Sequence, residues 1–401
     1  MTETWNTTLG SRRLGAGVAI ALASPVPPSP PSLPSPAPSV LPMVLLLFGV
    51  AATGFVRTRF ALSSRGLRRT PPCLMPEGPE CLVHGESLQR RFAGSTLSRC
   101  VILSGRYFGG GTVPGRKAPP ADWELLRQSL PALVSGVRVK GKFIWWELRP
   151  LSGDLPELSF WSTLGMSGAW STERSTHSRV AFELLPAEPS SSSSPPAVLY
   201  YNDQRNFGTL TVCTEHAVLL AKLAKLGPSW LGEGDSEGGG GGLSLESFME
   251  IVGRQCASPR RASVRVAKFL MDQTKTSGVG NYVLSEVLYK ARVYPWAACA
   301  DLSEAEWAEV YAAASETLRS SYAAQAALAT AAADDPNPSA TRGTFAAMQP
   351  QFELLAYRRA VTPEGPVRVD EGPHGRSIHW VHQRQVRGRT PESEALAPRT
   401  E

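Results

Sequence analysis

Cysteine is scarce in this 401-residue chain, and its copies include no CxxC pair. A structural zinc site needs closely spaced thiolates, and a disulfide framework needs several regularly spaced cysteines. The scatter of the cysteines argues against both, and none after Cys299 could supply a C-terminal zinc ribbon. We therefore expect no bound metal. The six cysteines are Cys73, Cys81, Cys100, Cys213, Cys256 and Cys299.

Long apolar runs are also missing from the N-terminal part. The run from Met43 to Val56 has about 14 residues, whereas a membrane-spanning helix needs about 20. We therefore expect no membrane attachment in the mature protein.

Acidic residues are absent between Thr4 and Pro76. Seven of the 41 basic residues and one of the 35 acidic residues precede Pro76, which leaves 34 of each from that residue onward. The formal charge of +6 therefore comes from the N-terminal stretch. A polyanionic partner must be recognised by local basic patches rather than by net charge.

The first 75 residues differ in composition from everything that follows. A run rich in Pro, Ser and Ala, from Pro25 to Pro42, cannot build a core, and Arg57 to Arg69 is basic. This composition is typical of a transit or signal segment, and an untranslated stretch wrongly joined to the gene is the alternative. A transit peptide would send the protein to a plastid or mitochondrion; otherwise we expect the nucleus.

The rest of the chain changes composition four times. A strand-rich part is followed by a glycine-rich linker, a helical part, a part with short strands and a tail, at 76–231, 232–242, 243–347, 348–385 and 386–401. Strands are predicted at Arg99–Leu103, Val137–Lys140, Phe143–Leu148, Val180–Leu184, Val198–Tyr201, Phe352–Tyr357 and Ser377–Val381. Helices are predicted at Cys81–Phe92, Trp123–Ser135 and Glu215–Leu226.

The motif Pro76–Glu80 (PEGPE) carries chemistry only if the nitrogen of Pro76 is a free N-terminus. An α-amino group has a pKa near 8, so a useful fraction is neutral at about pH 7. Such an amine can attack an electrophilic carbon and form an iminium, while the neighbouring carboxylate of Glu77 moves protons. In a peptide bond to Met75 the same nitrogen is inert. The chemistry therefore requires that residues 1–75 be removed or never translated.

A second feature is a basic stretch that contains glycines. Between Ile251 and Pro295 there are eight basic and two acidic residues. Gly278 and Gly280 precede a predicted helix, and backbone N–H groups at a helix N-terminus favour a phosphate. This stretch predicts a phosphate-binding surface.

Six segments, taken in order, resemble the formamidopyrimidine-DNA glycosylase/endonuclease VIII family. They are PEGPE at 76–80, VKGKF at 139–143, LGMSG at 164–168, NDQRNFG at 202–208, the stretch from KFLMDQ to SEVLY at 268–289, and GRSIHWVHQRQ at 375–385. The resemblance is to endonuclease VIII-like members with a zincless finger, a terminal hairpin that lacks the zinc-binding cysteines. It extends from Pro76 to about Gln385.

The resemblance implies an α+β fold, with an N-terminal β-sandwich flanked by helices, a helix–two-turn–helix domain and a C-terminal antiparallel β-hairpin. It implies a bifunctional DNA glycosylase and abasic-site lyase of base excision repair, which removes oxidised bases through a Schiff base and then cleaves by β,δ-elimination. The partner would be damaged DNA, double- or single-stranded. We expect a monomer that needs no cofactor.

The resemblance also implies catalytic roles for three residues. Pro76 would be the Schiff-base nucleophile and Glu77 the proton shuttle. Lys142 would contact the phosphate beside the damaged sugar.

Two further groups would bind the DNA. The hole left by an extruded nucleotide would be filled by Met166, Arg205 and Phe207. DNA contacts are implied for Lys268, Asn281 and Arg376. Asn206 stands where formamidopyrimidine-type members often have a second arginine, which argues against a preference for 8-oxoguanine.

Two other interpretations stay open. If Pro76 remains acylated by Met75, the protein would bind damaged DNA without catalysis. A non-enzymatic helix–two-turn–helix scaffold of the ribosomal or topoisomerase kind is the second. The ordered set of Pro76–Glu77, Lys142 and Arg205 with Phe207 argues against that scaffold.

Overall fold

The computed structural model describes residues 76–186, 196–232, 242–333 and 352–397. The predicted leader, the serine-rich insertion at 187–195, most of the glycine-rich linker and the stretch 334–351 lie outside the described residues.

Eight strands in the first part of the described chain form one antiparallel sheet. They are β1 (Thr96–Ile102), β2 (Ala132–Lys140), β3 (Phe143–Pro150), β4 (Leu158–Thr163), β5 (Gly168–Ser171), β6 (Ser178–Leu185), β7 (Ala197–Asp203) and β8 (Thr209–Cys213). Their order across the sheet is β5-β7-β6-β1-β2-β3-β4-β8. The strands predicted in this part coincide with β1, β2, β3, β6 and β7.

The sheet folds over on itself around an aromatic core. Phe160 of β4 and Phe182 of β6 are not neighbours in the sheet, yet their ring centroids are 5.0 Å apart. Trp146 and Trp170 are fully buried in the same cluster. Burial stabilises each phenylalanine by roughly 1.5–3 kcal/mol. The predicted sandwich therefore forms from one continuous sheet.

The helix predicted at Trp123–Ser135 is wrong in its second half. Helix α2 spans Trp123–Gln128, and β2 begins at Ala132. Pro131 has no N–H to continue a helix, and the β-branched residues that follow it favour a strand that pairs with β3.

The other helices flank the sheet and form the second domain. They are α1 (Gly78–Phe92), α3 (His216–Ala224), α4 (Leu245–Cys256), α5 (Pro259–Ala262), α6 (Val266–Met271), α7 (Asn281–Lys290), α8 (Glu304–Ala333) and α9 (Pro391–Glu394). Helix α1 packs on β2 and on α8, so the residues at its N-terminus lie where the sheet meets the helical domain. None of the helices in the described ranges is long and apolar enough to cross a membrane.

A small sheet of three antiparallel strands follows: β9 (Val361–Thr362), β10 (Gly365–Glu371) and β11 (Ser377–Val381). The hairpin of β10 and β11 is the predicted C-terminal hairpin. The α+β fold is thereby confirmed.

The strand predicted at Phe352–Tyr357 is wrong. The backbone N–H groups of Leu355, Ala356 and Tyr357 donate to the carboxylate of Glu286 at 2.7–2.9 Å instead of to a neighbouring strand. Glu286 is fully buried on α7. Its carboxylate therefore ties the segment before the small sheet to that helix.

Candidate active site

Glu77 lies at the centre of the site, directly before α1 and after the half-buried Pro76. Its side chain is 2% exposed, at the N-terminus of α7. One carboxylate oxygen accepts a hydrogen bond from the backbone N–H of Tyr282 at 2.9 Å, and the other accepts one from Val283 at 3.2 Å. These N–H groups have no partner within the helix, and the helix dipole favours negative charge beside them.

Glycines leave the room that this arrangement needs. A Cβ atom at Gly280 would lie 2.2 Å from Cδ of Glu77. Gly78 donates its N–H to the carbonyl of Gly278 at 2.9 Å, and a Cβ atom at Gly78 would lie 2.9 Å from Cα of Gly278. The glycine loop before α7 therefore permits the start of α1 to approach it closely.

Lys142 reaches the same loop from the turn between β2 and β3. Gly141 makes this turn with a φ of 58°, which favours glycine. The ammonium of Lys142 donates to the carbonyl of Val279 at 2.7 Å. The amide nitrogen of Gln273 donates to the same carbonyl at 2.9 Å, so the loop is held from both sides.

Burial is the main cause of the shifted pKa values of Glu77 and Lys142. It raises the pKa of Glu77 to about 7, although Lys142 opposes the change. Burial also lowers the pKa of Lys142, and there Glu77 opposes it. A carboxyl group that titrates near neutral pH can both donate and accept a proton during a reaction. The site therefore has the property that a proton shuttle requires.

Glu80 belongs to the site but was not predicted as a site residue. Its carboxylate accepts from the backbone N–H of Glu77 at 2.9 Å and from the hydroxyl of Tyr282 at 2.9 Å. Burial raises the pKa of Glu80. Ser321 and Gln325 of α8 also donate to it. The spacing of Glu77 and Glu80 is that of a capping box, the one sequence signal that could have revealed it.

Asn281 joins the site to the C-terminal hairpin. Its side-chain amide donates to the carbonyl of Ser377 at 2.8 Å, and its Oδ1 lies 3.0 Å from Nε2 of His374. These contacts hold the turn between β10 and β11, which contains the exposed Arg376. The charge of Arg376 is close enough to contribute to the lowered pKa of Lys142. Sequence reasoning missed His374, for which no motif gave a signal.

The three predicted void-filling residues lie on two loops that contact each other. The backbone N–H of Arg205 donates to the hydroxyl of Ser167 at 2.9 Å, and that hydroxyl donates to Asp203 at 2.6 Å. A guanidinium nitrogen of Arg205 lies 3.7 Å from the sulfur of Met166. Phe207 is 57% exposed on the same loop as Arg205.

The structure thus gathers the predicted residues into two groups. Pro76, Glu77 and Lys142 meet at the N-terminus of α7, with Asn281 and Arg376 alongside. The second group consists of the void-filling residues just described. The ninth residue, Lys268, is exposed on α6. The roles of all nine residues stay predictions.

Nothing in the described ranges forms a group of His, Cys, Asp and Glu that could hold a metal ion. His379 and His382 pack beside aromatic rings, with centroids 4.5 Å from Tyr357 and 5.7 Å from Trp380.

Comparison with known proteins defines the class. Residues 75–210 match the formamidopyrimidine-DNA glycosylase N-terminal domain, and residues 245–331 match the formamidopyrimidine-DNA glycosylase H2TH domain. Together the two matches span more than half of the chain.

Individual relatives agree with these matches. The chain is 28% identical to a formamidopyrimidine-DNA glycosylase of Mycobacterium ulcerans over 62% of its own length and 78% of that protein. It is 24% identical to one of Arabidopsis thaliana, over 57% and 54% of the two chains. The fold is similar to that of the Lactococcus lactis enzyme solved with abasic-site DNA, with a TM-score of 0.55 and 19% identity over 76% of this chain and 97% of that one.

The chain belongs to the formamidopyrimidine-DNA glycosylase/endonuclease VIII family. This membership supports a DNA glycosylase role in base excision repair. The endonuclease VIII-like subtype stays a prediction.

Proposed function

We propose that this protein is a bifunctional DNA glycosylase and abasic-site lyase, which removes oxidised bases from DNA with the amine of Pro76 as nucleophile. The observation that carries the proposal is the buried carboxyl of Glu77, whose pKa is raised to about 7 beside Pro76 and Lys142. Lactococcus lactis relatives solved with abasic-site DNA and with oxidised-pyrimidine DNA support it.

In the first step, the bond from C1′ to the damaged base is replaced by a bond from C1′ to the nitrogen of Pro76. The neutral nitrogen of Pro76 bonds to C1′ of the damaged nucleotide, the bond from C1′ to the base breaks, and the base leaves with the proton that the nitrogen gives up. Glu77 protonates the ring oxygen O4′ as the bond from C1′ to O4′ opens, which leaves an iminium between Pro76 and C1′. A damaged pyrimidine or a ring-opened purine is the proposed substrate.

The second step cuts the strand. The positive iminium makes the C2′ protons acidic, and loss of one expels the 3′ phosphate by β-elimination. A further proton loss expels the 5′ phosphate by δ-elimination, and water then hydrolyses the iminium and frees Pro76. The protein chain, the DNA and water are the only reactants that these steps use.

Lys142 and the helix N-terminus would hold the phosphates during these steps. The ammonium of Lys142 uses one proton on the carbonyl of Val279, which leaves two donors for DNA. The turn that contains Arg376 is fixed to Asn281, so it would bring a second cation to the same strand.

Borohydride trapping tests the proposal, because it reduces the iminium to a stable amine. A form of the protein that begins at Pro76 is incubated with DNA containing thymine glycol or an abasic site. We expect a covalent protein–DNA band that is absent from the full 401-residue chain, in which Met75 acylates the nitrogen. The band is expected to be weaker, rather than absent, for Pro76→Ala, because the primary amine of an N-terminal alanine can still form an imine. Melting curves of Pro76→Ala and the parent protein serve as the folding control.

The second candidate function is a silent damaged-DNA-binding protein, which the peptide bond from Met75 to Pro76 favours if it persists. Tight binding to damaged DNA without a trapped band, from the form that begins at Pro76, would establish this alternative. A trapped band from the same form excludes it.

Compartment and oligomeric state are proposed with the function. We propose a monomer located in an organelle if residues 1–75 act as a transit peptide, and otherwise in the nucleus. Imaging of the full chain with a C-terminal fluorescent tag, and sequencing of the mature N-terminus, test the location together with the exposure of Pro76.

A further inference from the structure

Two aromatic side chains are exposed in the part of the chain that the structure describes, Phe108 at 62% and Phe207 at 57%. Phe207 belongs to the void-filling group. Phe108 lies in the loop after β1, where neither motif nor resemblance gives it a role. One exposed apolar residue needs no explanation by itself. The surroundings of Phe108 are what make it informative.

The segment from Gly105 to Ala118, here called the arm loop, has hydrogen bonds within its own backbone. The N–H of Gly111 donates to the carbonyl of Lys117 at 2.7 Å, and the N–H of Lys117 donates to the carbonyl of Arg106 at 2.7 Å. The two sides of the arm loop are therefore hydrogen-bonded to each other. This backbone holds Phe108 at the surface although burial of the ring would be favourable by roughly 1.5–3 kcal/mol.

The arm loop is fixed to the segment that contains Phe207. The hydroxyl of the buried Tyr107 accepts from the N–H of Leu210 at 2.7 Å and donates to the carbonyl of Gly208 at 3.3 Å. Arg106 donates to the carbonyl of Asn206 at 3.4 Å. The residues next to Phe108 therefore bind the chain on both sides of Phe207.

The arm loop is also basic. No acidic residue occurs between Ser104 and Ala121, while Arg116 and Lys117 are exposed. An exposed aromatic ring beside cations is the combination with which proteins hold nucleic acid, since the ring stacks on a base and the cations bind phosphates.

We propose that the arm loop is a second DNA-contacting element, in which Phe108 stacks on a base next to the extruded nucleotide and Arg116 and Lys117 bind phosphates. This inference rests on the proposed function, because the extruded nucleotide defines where Phe207 meets the DNA. The bonds from Tyr107 to the Phe207 segment place both rings at one edge of the protein.

Binding of the full chain to a duplex with a tetrahydrofuran abasic analogue, followed by fluorescence anisotropy, tests the inference. Stacking of one base on an aromatic ring contributes about 1–3 kcal/mol, so Phe108→Ala is expected to weaken binding at least about fivefold. Phe108→Trp is expected to bind within about twofold of the parent protein, because it keeps a stacking surface.

Leu151→Ala is the matched control. Leu151 is 56% exposed at the far end of β3 from Lys142, about 30 Å away along an extended strand of this length. We expect unchanged binding. The double variant Arg116→Ala/Lys117→Ala is expected to bind with a weaker salt dependence. The slope of the logarithm of the binding constant against the logarithm of the salt concentration should fall in magnitude by about one for each lost phosphate contact.

A photoreactive benzophenone side chain at position 108 supplies an independent readout, and it is expected to crosslink to the DNA while one at position 151 does not. The inference is overturned if Phe108→Ala binds like Leu151→Ala and position 108 gives no crosslink, while Phe207→Ala still weakens binding. If the parent protein binds the damaged duplex no better than undamaged DNA and Phe207→Ala changes nothing, the proposed function fails as well.

Discussion

The two groups of predicted residues differ most in their contact with water. At the N-terminus of α7, the carboxyl of Glu77 is 2% exposed and both its oxygens are hydrogen-bonded. At the void-filling edge, Phe207 and the neighbouring Phe108 are more than half exposed. Chemistry on a sugar carbon needs a desolvated acid, whereas insertion into a base stack needs side chains that remain accessible until the DNA arrives.

This difference has an energetic consequence. The buried site keeps a carboxyl group in an environment that disfavours its charge, and thereby gives it a pKa suited to proton transfer at the expense of stability. The exposed edge leaves apolar surface in water, which DNA would cover under the proposed function. Variants that change one of the two regions and leave the other intact can separate the two effects.

The largest effect is expected for Glu77→Gln, which keeps the size of the side chain and removes its proton transfer. Excision of an oxidised base in single turnovers should slow by about 10²–10⁴-fold, the usual contribution of general acid–base catalysis. Binding to the tetrahydrofuran duplex, a readout of the exposed edge, should change little. An excision rate within tenfold of the parent protein would remove Glu77 from the proposed mechanism.

A smaller effect concerns stability and pH. The pKa of Glu77 is raised from 4.5 to about 7, so the folded state binds this proton more tightly than the unfolded chain. The stabilising contribution of the protonated Glu77 carboxyl is complete below pH 4.5 and is lost as the pH rises through about 7. The loss corresponds to about 3 kcal/mol of unfolding free energy.

Glu77→Gln isolates this contribution, since the equally buried Glu80 is present in both proteins. The unfolding free energy, measured with urea at pH 4 and at pH 8, should fall more between these two pH values for the parent protein than for the variant. Equal falls in the two proteins would show that Glu77 is ionised without penalty in the fold.

The smallest effect is expected from a single methyl group at Gly280. A Cβ atom there would lie 2.2 Å from Glu77, and such overpacking typically costs about 1–3 kcal/mol of unfolding free energy. Gly253→Ala in α4 is the control, because its Cβ atom would meet open space and alanine favours a helix by roughly 0.5–1 kcal/mol. The unfolding free energy measured in urea should fall for Gly280→Ala and rise for Gly253→Ala. An unchanged unfolding free energy for Gly280→Ala would show that the space beside Glu77 is not crowded.

Sequence reasoning selected residues that the fold brings close together, although their roles stay predictions, and it placed one strand wrongly. Pro76, Lys142 and Asn281 were proposed from short motifs that resemble a family, and such motifs keep local spacing that a reader can recognise. The prediction of a strand at Phe352–Tyr357 was wrong, because backbone N–H groups of this segment donate to Glu286, which is 70 residues away from Ala356 in the chain. No local pattern contains that information.

The same limit applies within the site. Ser321 and Gln325 bind Glu80 across 241 and 245 residues, and no periodicity links positions so far apart. The exposure of Phe108 was equally invisible, because an isolated phenylalanine in a sequence is more often buried than not.

By itself the sequence determined the α+β composition of the chain, the order of its motifs and the requirement that Pro76 be a free N-terminus for the proposed chemistry. Only the tertiary structure decided the pKa of Glu77 and the junction between the arm loop and the Phe207 segment. The physical reason is that motifs and turns depend on neighbours along the chain. Desolvation and exposure depend on which distant segments pack around a side chain.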